Sequence, residues 1–300
     1  MSDSATDGDG TSANGASASA TTLVSSGFAA GVAVTGFLNP YDRALFLSVA
    51  KKRPFLHHCN WRHPYQGLSQ SIVGRAISTG LWFPLERASV DALRLHDATA
   101  ALPPGVRAAI AGQIAGAVNA LILSPLAFVK YQTWGLPEGK RSFQRTALKV
   151  VREAGPSAFF RGLPATVYRD CVFGGLFGWM RTTLRQAGGE PSPGGEFSPG
   201  VAHRFFSDTA AAGAATALSA PFNFARNMHF AQPISHRPMS TADALRVLWR
   251  EAMAETSSAA SINLIIRRLN VGWGTLRVAG GMGLTACFFD GFVWLGTTVQ

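Results

Sequence analysis

"AGQIAGAVNALILSPLAFVK", residues Ala111 to Lys130, reads as a membrane helix until its last third. Gly112 and Gly116 stand four apart, a mostly apolar run follows, and Pro125 comes five residues before Lys130. A proline inside a lipid-spanning helix needs neighbouring helices or polar groups to re-satisfy the backbone it frees. A lysine at that depth is costly unless another group answers it. The stretch therefore requires partners elsewhere in the chain.

Two further copies supply them. "GFAAGVAVTGFLNPYDRALF" places Pro40 nine after Gly31, as Pro125 lies nine after Gly116. "DTAAAGAATALSAPFNFARN" places Pro221 nine after the small Ala212 and Arg226 five beyond it. Small residues early in each copy permit close backbone approach. Each copy is followed by a second apolar segment that opens on its own triplet: "YQGLSQSIVGRAISTGLWFPLE" from Tyr65, "FRGLPATVYRDCVFGGLFGWM" from Phe160, and "RLNVGWGTLRVAGGMGLTACFFD" from Arg268. Arg169 and Arg277 stand seven after the last residue of their triplets, and Arg75 stands eight after Gly67. Two helices per repeat predict six spans with both termini on one side. The expected organisation is a disordered tail over 1–22, repeats over 23–100, 101–188 and 201–300, and a Gly/Pro-rich linker over 189–200.

Composition agrees with a membrane protein. Charged residues are 15% and apolar residues 47%, against about 25% charged in an ordinary soluble chain. The net charge of +10 would suit nucleic acid if it were spread over one surface. Instead Lys51, Lys52 and Arg53, then Lys140, Arg141, Arg145, Lys149 and Arg152, then Arg237, Arg246 and Arg250 all follow odd-numbered segments. The other connections are nearly balanced, which is the pattern of the positive-inside rule and argues against a nucleic-acid partner.

The connections differ among themselves. "SFQRTALKVVREA" (Ser142 to Ala154) and "TADALRVLWREAM" (Thr241 to Met253) each begin with a capping residue and keep a helical apolar spacing, so both predict surface helices. "KKRPFLHHCNWRHPYQG" has two prolines and no such period, and predicts none. Within it "HHCNWRH" (His57 to His63) is expected to be a solvated basic loop, because adjacent histidines seldom reach one ion and no second cluster completes four ligands. No metal site is expected, and no nucleophile–base set or phosphate loop points to an enzyme. The three cysteines form no pairing pattern. The tail lacks Lys and Arg, so it resembles neither an Arg-rich transit peptide nor a secretory signal.

These repeats resemble the mitochondrial carrier family, most specifically in "REAGPSAFFRGLPATVYRD" (Arg152 to Asp170). The resemblance implies an all-α membrane protein with six transmembrane helices in three pseudo-symmetric two-helix repeats. It also implies the inner mitochondrial membrane, basic connections toward the matrix, and termini toward the intermembrane space. No cofactor is implied. The triplets, at Tyr65 and Gly67 and at Phe160, Arg161 and Gly162, resemble the family's cardiolipin sites, where helix N-terminal amides meet lipid phosphate.

Family likeness also assigns gates and a cavity. The motif Pro-x-acid-x-x-base closes the matrix side, the acid of each odd helix pairing with the base of the next. Here Pro40-Asp42 is followed by Leu45, Pro125-Lys130 has Ala127 in place of its acid, and Pro221-Arg226 has Asn223. Asp42 with Lys130 is the one charge pair the motif leaves. On the opposite side only Phe289-Asp290 keeps the aromatic-acid pattern, with Val293 in place of its base, and Glu86 is out of register. The substrate positions fall at Arg75, Arg169 with Asp170, and Arg277, and an Arg-Asp pair resembles carriers of amino-acid-like solutes. The first repeat is short as well: 27 residues separate Pro40 from Gly67, against 37 from Pro125 to Gly162 and 49 from Pro221 to Asn270. Damaged gates favour a carrier-fold protein with impaired transport, serving as an accessory subunit of a larger inner-membrane complex. The cavity arginines favour the alternative, an exchanger for a small anion or amino-acid-like metabolite.

Overall fold

In a computed structural model, residues 20–51, 53–134, 142–187, 201–236 and 239–298 are described. Residues 1–19 of the expected tail, the 189–200 linker, Lys52, Lys140, Arg141 and Arg237 lie outside them. Residues 20–22, expected in the tail, instead begin the first helix. The described residues are helical and contain no strand. The helices are α1 (Ala20–Ala50), α2 (Leu68–Leu95), α3 (Asp97–Ala100), α4 (Pro104–Trp134), α5 (Phe143–Ala154), α6 (Leu163–Ala187), α7 (Val201–Ala231), α8 (Thr241–Met253), α9 (Ser258–Leu269) and α10 (Trp273–Thr298).

Six of these are long, and they close a ring. α1 packs on α2, α2 on α4, α4 on α6, α6 on α7, α7 on α10, and α10 back on α1. Pro40, Pro125 and Pro221 lie inside α1, α4 and α7, so each is absorbed within a continuous helix. Two stretches, Pro104–Trp134 and Ser258–Gly296, are long and apolar enough to cross a membrane.

The packing inverts that of a soluble core. On α4 the small residues Gly105, Ala108, Ala111, Gly112, Ala115 and Gly116 face inward, while Val106, Ile114, Leu121 and Ile122 are exposed. α7 repeats this, with Ala211, Ala212 and Ala215 fully buried and Phe206 and Leu218 outside. Large apolar side chains turned outward suit lipid, and small ones turned inward let helices approach. A Cβ on Gly112 would collide with the carbonyl oxygen of Gly174, and one on Gly116 with that of Asp170. That is the reason the opening stretch carries two glycines four apart.

The connectors follow local capping rules. Ser142 caps α5 by accepting from the Arg145 amide at 3.4 Å. Ser240 caps α8 from one residue before the Thr241 that the sequence suggests. α9, capped by Ser257, has no counterpart among the expected elements. It fills part of the long Pro221–Asn270 interval. The first repeat has only a single 3-10 turn, His58–Asn60, in the corresponding interval.

That segment exposes His58, Arg62 and His63 as a solvated basic loop should, but it is tied down from within. Buried Arg43, one residue beyond Asp42, donates to the carbonyls of Asn60 (3.2 Å) and Arg62 (2.7 Å) and to Gln66 Oε1 (2.7 Å). Asn39 reaches the Pro64 carbonyl at 2.9 Å, and Asn60 donates to the carbonyls of Pro54 and Phe55. Side chains of α1 thus do the ordering that a surface helix does elsewhere.

The starts of α2 and α6 are built alike. Gly67 and Gly162 take φ of 71° and 78°, a region where only glycine is at ease. A Cβ on Gly67 would sit 2.5 Å from Trp134 Nε1, and one on Gly162 2.9 Å from His229 Cβ. α2 therefore starts against the end of α4, and α6 against the end of α7.

Candidate functional site

The ring encloses a cavity of about 350 Å³. Small residues such as Gly74 and Ser78 on α2, Ala120 and Ser124 on α4, and Thr216 and Ser219 on α7 leave the room for it. Five bases and two acids share its wall: Arg75, Lys130, Arg169, Arg226 and Arg277 with Asp42 and Asp170. Every charged residue that the sequence assigned to the cavity or to the proline-motif gate therefore comes together. Pro40, Pro125 and Pro221 stay outside the lining.

The pairings differ from the expectation. Asp42 forms its ion pair with Arg277, not with Lys130. α10 packs beside α1, and Arg277 reaches Asp42 across that seam. Arg277 is also more deeply buried than its partner, and a bare guanidinium inside a bundle is the costlier one to strand. Arg169 pairs with its neighbour Asp170. Arg75 has no ion pair or hydrogen bond among the described residues, although it lines the cavity.

The two bases of the proline motifs, Lys130 and Arg226, rest on aromatic rings. Lys130 Nζ lies 5.2 Å from the Tyr131 ring centroid and 4.6 Å from that of Trp134. The Arg226 guanidinium lies 5.6 Å from the same Tyr131 ring and 5.7 Å from Phe230, with Nη2 at 3.4 Å from the Tyr131 hydroxyl. Such contacts are worth about 0.5–1 kcal/mol when exposed and about 2 when desolvated. Phe46, from α1, packs on Tyr131 and Trp134 at 4.7 and 5.4 Å. Gln132 donates to the carbonyls of Phe230 and Gln232 at 2.9 Å. Residues just beyond the three prolines thus meet at one end of the cavity.

The other end also holds more than the sequence suggested. Glu86, out of register with the family's motif, is buried and pairs with Arg181 across α2 and α6. Arg185 grips both oxygens of buried Asp208 at 2.9 and 2.8 Å, joining α6 to α7. The signal for the first pair is present in the sequence, since Glu86 and Arg181 stand nineteen residues after Gly67 and Gly162 respectively. The side chain of Asp290 lies outside those described.

The triplets that open α2 and α6 sit away from the cavity. Tyr65 and Phe160 are exposed on the rim, and Arg161 donates to the Ile234 carbonyl at 2.6 Å. On the first connector, donor atoms of His57, His58 and Cys59 lie within 4.8 Å of one another. The two adjacent histidine rings stack at 4.7 Å, so their ligand atoms lie closer together than the sequence suggests. No fourth ligand joins them among the described residues.

Comparison with known proteins adds identity to this geometry. A family model described as mitochondrial carrier protein matches residues 103–187, the stretch from the start of α4 to the end of α6. A mitochondrial glycine transporter of Coccidioides immitis (strain RS) is 24% identical over 225 residues, covering 61% of this chain and 65% of that relative. The match thus spans just under two thirds of the relative's length.

Proposed function

The chain belongs to the mitochondrial carrier family, and on that premise we propose that it carries a small, carboxylate-bearing solute of the amino-acid kind across the inner mitochondrial membrane. Membership brings with it a mitochondrial membrane and a transporter-type role. The finer reading has six spans in three repeats, over 23–100, 101–188 and 201–300. The proline end faces the matrix and the termini face the intermembrane space, as the basic connections favour.

One observation carries the substrate class: Arg75 is on the wall of a predominantly basic cavity with no partner of its own among the described residues. A guanidinium without a partner in such a place is expensive and suits an incoming carboxylate, which it can grip with two parallel hydrogen bonds. The Arg169–Asp170 pair gives an amine somewhere to go, since Asp170 is an acid on the cavity wall. A cavity of about 350 Å³ is at the lower end for ligand sites and fits a small solute. The relative named a glycine transporter supports the same class. Around the rim, the N-termini of α2 and α6 beside Tyr65, Gly67, Phe160, Arg161 and Gly162 suit cardiolipin phosphate. The accessory-subunit reading has no support in the comparisons, and it assumed cavity ends that nothing held together.

Purified protein in cardiolipin-containing liposomes is expected to take up labelled glycine saturably, with acetate competing better than methylamine. Arg75→Gln should abolish uptake while the protein keeps its thermal midpoint. Absence of uptake for every carboxylate solute offered, or uptake indifferent to Arg75→Gln, would contradict the assignment.

A further inference from the structure

We propose that Asp42 and the solute compete for Arg277, so that a carboxylate entering the cavity releases the tie between α1 and α10. This rests on the solute class proposed above. The Arg277 guanidinium lines the cavity while pairing with Asp42, two residues beyond Pro40. It has capacity left, because its buried Nε has no hydrogen-bond partner. One side chain therefore belongs to both the solute site and the proline end. In the family's motif those duties fall to separate residues, and the gate acid answers a base on the next odd helix. Here Ala127, Asn223 and Leu45 remove the other two pairs, and Lys130 stays on the cavity wall as the base that the motif offers Asp42.

Asp42 is also well placed to lose this contest reversibly. It lies within electrostatic reach of Arg75, Lys130 and Arg226 as well. Lys130, the base that the motif assigns to Asp42, rests on aromatic rings while Asp42 is paired with Arg277. A carboxylate bridging Arg75 and Arg277 leaves Asp42 free to turn toward Lys130. Binding then changes which helices are tied, which is the differential interaction a switching transporter needs. The sequence motif alone gives no route to it.

The test is binding of glycine and of acetate, each by calorimetric titration in cardiolipin-containing nanodiscs. Asp42→Asn removes the competitor with little change of shape and should tighten both ligands about tenfold, since the site no longer has to be vacated. Asp42→Glu keeps the competitor and should bind like the parent, and Arg277→Gln should lose binding. A pair with a merely structural role would not strengthen binding when broken. If the parent binds and Asp42→Asn binds equally or more weakly, or if Arg277→Gln binds unchanged, the competition is overturned and the solute class stands. If neither the parent nor Asp42→Asn binds either ligand, the solute class falls and the competition falls with it.

Discussion

The two ends of the cavity are held by different chemistry. Away from the prolines, α6 is joined to α2 and α7 by conventional buried ion pairs, Arg181 with Glu86 and Arg185 with Asp208. At the proline end, where the family's motif calls for ion pairs, Lys130 and Arg226 share the single ring of Tyr131 and Asp42 turns to a cavity arginine. A missing motif acid thus does not leave its base without a contact. What the bases require is an electron-rich partner, and an aromatic face supplies one more weakly than a carboxylate does.

The difference can be broken from either end. Glu86→Gln should have the largest effect, because it strands Arg181 in a buried position; truncating one partner of a buried pair costs about 3 kcal/mol or more. A thermal midpoint in detergent that is unmoved by Glu86→Gln would show that the far end is held by something else. Tyr131→Leu should cost about 2 kcal/mol, as both cation–π contacts go at once. Adding Ala127→Asp to it should restore part of the loss by giving Arg226 an acid. Tyr131→Phe should cost least, since the rings remain and only the 3.4 Å hydroxyl contact is lost. Equal destabilisation by Phe and Leu would mean that the hydroxyl, not the ring, holds the bases.

The proline helices, the glycines that open α2 and α6, and the surface helices α5 and α8 are legible in the sequence, because each rests on local spacing or capping. The cavity set is legible for the same reason, as Arg75, Arg169 and Arg277 recur at nearly fixed offsets from the triplets before them. Pairing is not. Whether Asp42 meets Lys130 or Arg277 is decided by side chains on two other helices, α4 and α10, and the motif carries no trace of that. The first connector reads as a loose loop because its order comes from Arg43 and Asn39, side chains on another element. Tyr131 gives no signal of its own, since an aromatic beside a lysine reads as ordinary core until both bases are seen on its ring.

The central claim is that this substituted chemistry still closes the proline end, so that the cavity is reached from one side at a time. Thr216, on the cavity wall, can be replaced by cysteine after Cys59, Cys171 and Cys287 are changed to serine. A membrane-impermeant thiol reagent is then offered from each side of liposomes holding the protein in one orientation. Reagent from the proline side should label position 216 slowly in the parent and many-fold faster once Tyr131→Leu is added. Rapid labelling of the parent from both sides without solute would mean that the end is open, and would contradict the account.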